Sequence, residues 1–146
     1  MRLVPHLPRA LRASLALTAG LILAAPAHAA DLTIEIVGAR SSTGVVAVGL
    51  FAPGPGWLAE RSAVKYERQP AGARTVFVMT DVPPGRYAIA ATHDENGNGK
   101  LDTNLVGLPT EPYGFSRDAR GVLSQPAFDD AAIDVRADAT LTIRVR

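Results

Sequence analysis

The chain contains no cysteine. Disulfides, thiol nucleophiles and thiolate metal sites are excluded together. Aromatic residues make up only 5% of the 146 positions, so the core must be built chiefly from aliphatic side chains. Histidine is almost as scarce. Of the three present, His6 and His28 lie near the N-terminus, which leaves His93 as the usual kind of general base. No long amphipathic helical pattern, internal repeat or low-complexity tract occurs after residue 30.

Acidic residues are missing from the first thirty positions; the first is Asp31. That segment instead holds Arg2, Arg9 and Arg12, then the apolar run LALTAGLILAA at residues 15–25, then Ala27-His28-Ala29. Basic start, short apolar run and small-residue exit read as a secretory signal peptide, cleaved after Ala29 or Ala30. The apolar run is shorter than the roughly 18 to 20 residues that a spanning helix needs. The sequence thus divides into a leader, 1–30, and a single domain, 31–146, placed in the periplasm or outside the cell. After cleavage it is not an integral membrane protein. Subtracting the leader's three arginines from 15 Lys+Arg leaves 12 against 14 Asp+Glu, a net of −2. A slightly acidic domain without a basic run argues against nucleic acid and anionic membranes as partners.

The rest of the chain is patterned with period two. LTIEI, residues 32–36, alternates apolar and polar positions and predicts a half-buried strand. GVVAVGLF, 44–51, is apolar on both faces and predicts a central strand. A proline-glycine break at 52–56 ends it. The stretch 57–70 predicts a helical turn and then a short strand at 64–67. RTVFVMT and RYAIAATHD predict two more strands, with Tyr87, Ile89, Ala91 and His93 on one face. AAIDVRA and ATLTIRVR predict the last two. The segment PPGRYAIA suggests a tyrosine corner, with the Tyr87 hydroxyl tied to nearby backbone. About seven short strands without a long helix predict an all-β fold, an antiparallel immunoglobulin-like or prealbumin-like sandwich. Residues 100–127 do not follow the strand rhythm. A loop of that length is often functional, and Leu105, Val106, Leu108, Tyr113 and Phe115 predict that it packs back on the domain.

That segment begins inside HDENGNGKLDTN, residues 93–104. Asp94, Asn96, Asn98, Gly99, Lys100 and Asp102 fall at positions one, three, five, six, seven and nine of an EF-hand calcium loop. Hard oxygen donors on a tightly curved backbone are what Ca²⁺ requires, and Lys100 would offer its carbonyl. Position twelve is Leu105, where a bidentate glutamate belongs, and the flanking helices are missing. The spacing therefore matches the shorter type of calcium loop, completed by an acid from elsewhere: Glu111, Asp118, Asp129 or Asp130. With two carboxylates in the loop, binding is expected at about 10⁻⁴ to 10⁻³ M unless such an acid joins. The plain reading stands beside this one. Asn96-Gly97 and Asn98-Gly99 are both turn dipeptides, so a polar hairpin without an ion has the same composition.

Catalytic signals are weak. Ser116 is not in a nucleophile elbow, and a Ser116, His93 and aspartate triad has no sequence support. Glu111 with Asp129 is one of many pairs of acids. No phosphate-cradling motif occurs. Trp57 and the Tyr113–Phe115 pair suit either stacking on a sugar or peptide, or packing.

The blocks HDENGNGKLDTN, GLPTEPYGFSRDARG and PAFDDAAIDV resemble exported bacterial domains of unknown function, domain-of-unknown-function family 2141. These carry an H-D-x-N-x-N-G-K-x-D block followed by G-x-P-x-E-x-Y-G-F-S. The resemblance implies a small exported sandwich and supplies no reaction. The expectation is an exported, non-enzymatic binding domain whose loop 94–102 takes Ca²⁺, with an envelope protein or polysaccharide as partner. The alternatives are a hydrolase using His93 with nearby carboxylates, and a structural envelope domain without a ligand.

Overall fold

The computed structural model describes residues 28–122 and 124–146. The leader expected over 1–30 therefore lies outside the described residues, apart from its last three. Of those, Ala30 opens the first strand and is buried.

Eight strands follow: β1 (Ala30–Val37), β2 (Val45–Phe51), β3 (Ala63–Pro70), β4 (Arg74–Val82), β5 (Gly85–Asp94), β6 (Tyr113–Phe115), β7 (Ile133–Val135) and β8 (Ala139–Arg144). One sheet has the order β4-β1-β8; the other runs β3-β2-β5-β6, with β7 also paired to β5. All pairings are antiparallel except one. β1 and β8 run parallel, with Ile34 opposite Leu141 and Ile36 opposite Ile143. This corrects the expectation of a purely antiparallel fold. The cause is topological: the last strand returns to lie beside the first, and a parallel neighbour needs a long connection, here the whole intervening chain.

Period-two alternation places the core. Leu32, Ile34 and Ile36 of β1, Phe77 and Met79 of β4, and Ile143 of β8 form one buried cluster with Val46, Val48 and Leu50 of β2 and Tyr87, Ile89 and Ala91 of β5. Both sheets thus contribute to one apolar interior. Tyr87 also makes the predicted corner, its hydroxyl donating to the Pro83 carbonyl at 3.0 Å.

β2 is apolar on both faces because its outer face is covered too. Phe51, Trp57, Ala88, Phe115 and Ala131 form a second buried cluster. Trp57 meets Phe51, Phe115 and Phe128 edge-on, at centroid distances of 5.7, 6.0 and 5.7 Å. Trp57 is therefore a packing residue and presents no face to a ligand.

The long segment 100–127 contributes β6, which the sequence did not reveal. Gly114 of β6 runs so close to β8 that a Cβ there would lie 2.3 Å from the Arg144 carbonyl oxygen. Only glycine fits. The neighbouring backbone bonds across to the C-terminus, with Arg146 N–H donating to the Tyr113 carbonyl at 3.1 Å. Ser116 anchors the other end of this segment. Its hydroxyl accepts the Ile89 N–H at 2.9 Å and donates to the Ala131 carbonyl. Tyr113 and Phe115 pack as expected, whereas Leu105 and Val106 do not. They sit exposed at a loop tip whose turn is closed by Asn104, with Gly107 at φ 81°. A tip clamped by its own asparagine and a left-handed glycine has no reason to lie flat on the sheet.

Candidate functional site

The loop 94–102 leaves the end of β5, and its backbone is folded around carboxylates. Asp94 is buried at the strand end, and its two oxygens accept the N–H groups of Asn98 (3.0 Å) and Gly99 (2.8 Å). Gly97 and Gly99, at φ 73° and 80°, supply the left-handed positions that the coil requires. Asn96 and Asn98 reach forward, their amide groups donating to the two oxygens of Asp102 at 2.6 and 2.9 Å. Asn98 also accepts the Lys100 N–H at 2.9 Å.

Two residues outside the loop complete it. Arg68, on β3, forms a 2.7 Å ion pair with Asp94. Glu111 is buried, and its oxygens accept the N–H groups of Glu95 and Asp102, each at 2.9 Å. Among the four remote acids considered from sequence, Glu111 is thus the one that closes on the loop. Asp118 pairs with Arg146 and Arg120, and Asp129 with Arg86, at other places on the surface. Sequence pattern offered nothing to identify Arg68, because its role depends on β3 lying beside β2.

All five predicted ligands therefore belong to one tight loop. The side chains of Asn96, Asn98 and Asp102 meet, and Asp94 binds the same coil from the strand side. The Asn96 and Asn98 amide oxygens accept the N–H groups of Asn98 and Lys100 at 3.0 and 2.9 Å, so a cation would share those oxygens with the backbone or displace it from them. Among the described residues no group of three or more His, Asp or Glu stands ready to hold a metal. A cation here would rest on the asparagine and backbone oxygens as much as on carboxylates.

His93 has no exposed surface. Its Nδ1 accepts the Arg40 N–H at 3.2 Å and its Nε2 faces the Thr43 carbonyl at 2.8 Å, which fixes the Nε2–H tautomer. Both ring nitrogens hold the β1–β2 connection, and neither faces Ser116. Glu111 and Asp129 likewise bond to different partners.

A cleft of about 600 Å³ opens on the outer face of the five-stranded sheet, beside this loop. Its floor follows from register. Ala47 lies opposite Thr92 and Gly49 opposite Ala90. The same two rows continue to Arg68 and Tyr66 on β3, and to Tyr113 and Phe115 on β6. The loop residues Lys100, Leu101, Thr103, Leu108 and Pro109 border one end. Burial raises the Tyr66 phenol above its ordinary value of 10.0; nearby Glu60 adds to this, Arg68 opposes it, and Asp94 adds a smaller push. Sequence held a trace of this cleft. In VVAVGLF the small Ala47 and Gly49 alternate with Val46, Val48 and Leu50, which leaves space on one face only.

No described helix is long and apolar enough to cross a membrane. A family model described as an uncharacterized protein conserved in bacteria, DUF2141, matches residues 34–144. No curated protein and no solved structure matches the chain.

Proposed function

We propose, for a chain that belongs to this family of uncharacterized bacterial proteins, that it is an exported, non-enzymatic binding domain. A cleaved leader would deliver it to the periplasm or medium as an immunoglobulin-like or prealbumin-like sandwich. Its loop 94–102 takes Ca²⁺, and the segment that follows forms the working surface toward an envelope protein or polysaccharide. The observation that carries this reading is the meeting of Asn96, Asn98 and Asp102 in a loop tied at both ends by Glu111. Asp94, Asn96, Asn98 and Asp102 would hold the ion with the Lys100 carbonyl. Bound there, Ca²⁺ supplies charge that locks the loop to the sheet end.

Arg68 bears on the strength of that site. Its guanidinium already neutralises Asp94, so a cation competes with it. The test is thermal melting in EDTA and then in millimolar calcium. At a Kd of about 10⁻⁴ M, calcium at about 10 mM is 100 times Kd and adds about 2.7 kcal/mol, a rise of about ten degrees for a domain of this size. Asp102→Asn should abolish the rise. Arg68→Met should lower stability in EDTA and enlarge the rise. A second reading, a structural domain without a ligand, is favoured by one fact: the loop's hydrogen bonds are complete without an ion. Absence of a calcium shift in both the parent and Arg68→Met would overturn the first reading for the second.

A further inference from the structure

Resting only on the reading of a binding domain, and not on calcium, we infer that the cleft on the outer face of the five-stranded sheet holds the chain of a single-chain anionic amphiphile, an acyl carboxylate. The floor is a trough. Ala47, Gly49, Ala90 and Thr92 occupy its middle two rows, so the sheet surface there carries only small side chains, with the Phe51 ring lying over Gly49. Aromatic side chains stand on both sides, Tyr66 on β3 and Tyr113 with Phe115 on β6. The open floor runs from the Ala47–Thr92 row toward the Phe51 ring over Gly49, and Phe51 and Leu58 close its far end.

The rim is apolar as well. The loops bordering the mouth contribute Thr103, Leu108 and Pro109 on one side and Gly121 and Ser124 on the other. Leu108 and Pro109 give a hydrocarbon chain apolar contact at the mouth, while Leu105 and Val106 are held outward at their loop tip.

Charge sets the head group and its direction. Lys100 lines the loop end of the cleft and has no ion-pair partner among the described residues. Asp94, at the same end, is already paired with Arg68. Glu60 stands at the opposite end. An anionic head is therefore drawn to Lys100, and the tail runs toward Phe51. Other occupants fit less well. A neutral sugar could use the hydroxyls of Tyr66, Thr92 and Tyr113 but would leave the Lys100 charge without a counter-charge. A peptide could not add as a strand, because β2 and β5 are paired on both edges.

The experiment is calorimetric titration of the purified full-chain product with laurate below its micellar concentration. Dodecyltrimethylammonium and dodecyl maltoside serve as cationic and neutral controls, and near-UV dichroism confirms that the fold persists. We expect saturable one-to-one binding of laurate, stronger than of either control. Lys100→Glu, an exposed change that leaves the core alone, should weaken laurate by about tenfold and invert the preference toward the cation. Thr92→Phe should fill the trough and abolish binding of all three. Absence of laurate binding, equal binding of the three amphiphiles, or unchanged binding in both variants would each overturn the assignment. These results are independent of the calcium shift, so a negative outcome here leaves the reading of the loop standing, and a negative melt leaves this one.

Discussion

Glu111 holds Asp102 by its backbone: one carboxylate oxygen accepts the Asp102 N–H at 2.9 Å while the other takes the Glu95 N–H. A single buried side chain thereby joins the two ends of the loop 94–102. Glu111→Gln replaces one acceptor with an amide donor facing an N–H. The expected loss is about 1–3 kcal/mol, the cost of an unsatisfied buried group, measured by urea unfolding. Amide exchange at Glu95 and Asp102 should accelerate in the same variant. Unchanged exchange would show that the loop is held by its asparagines alone.

His93 predicts a different kind of loss. Its ring joins the Arg40 N–H to the Thr43 carbonyl inside the protein. His93→Leu stays close to the ring's volume and removes both bonds, leaving a donor and an acceptor stranded. Destabilisation of about 2–4 kcal/mol is expected from two such groups. A denaturation midpoint within error of the parent would refute the structural role assigned to this ring.

Tyr66 gives a dependence on alkaline pH. Burial favours its neutral form, so the folded protein keeps this proton to higher pH than the unfolded chain. Above the ordinary value of 10.0 the unfolded state has lost the proton while the folded state retains it. Stability attributable to Tyr66 is therefore complete below that pH and falls as pH rises through the folded value. Tyr66→Phe should flatten this alkaline decline and remove a step above the ordinary value from the phenolate absorbance titration. Loss of a step at the ordinary value of 10.0 instead would place Tyr66 in open solvent.

Legibility in the sequence followed the range of the forces involved. β1, β4 and β5 could be read because each carries its own alternation, β2 because its apolar run is bounded by turn residues, and Tyr87 because its turn and its partner Pro83 are four residues apart. The loop was visible for the same reason, since its predicted ligands lie within nine residues. β6 was hidden, for three residues have too little pattern, and what makes them a strand is β5 on one side and the chain end on the other. The parallel contact of β8 with β1 has no local signature at all. Leu105 and Val106 misled because hydrophobicity predicts burial only where the backbone is free to turn inward. Here Asn104 and Gly107 hold it outward.

The first strand of the domain and the last are immediate neighbours. Until the final residues have been synthesised, β1 lacks one of its two flanking strands and the interior lacks Ile143 and Val145. Contacts of such long sequence separation form slowly. A nascent chain that still lacks β8 is therefore open along this edge of the sheet.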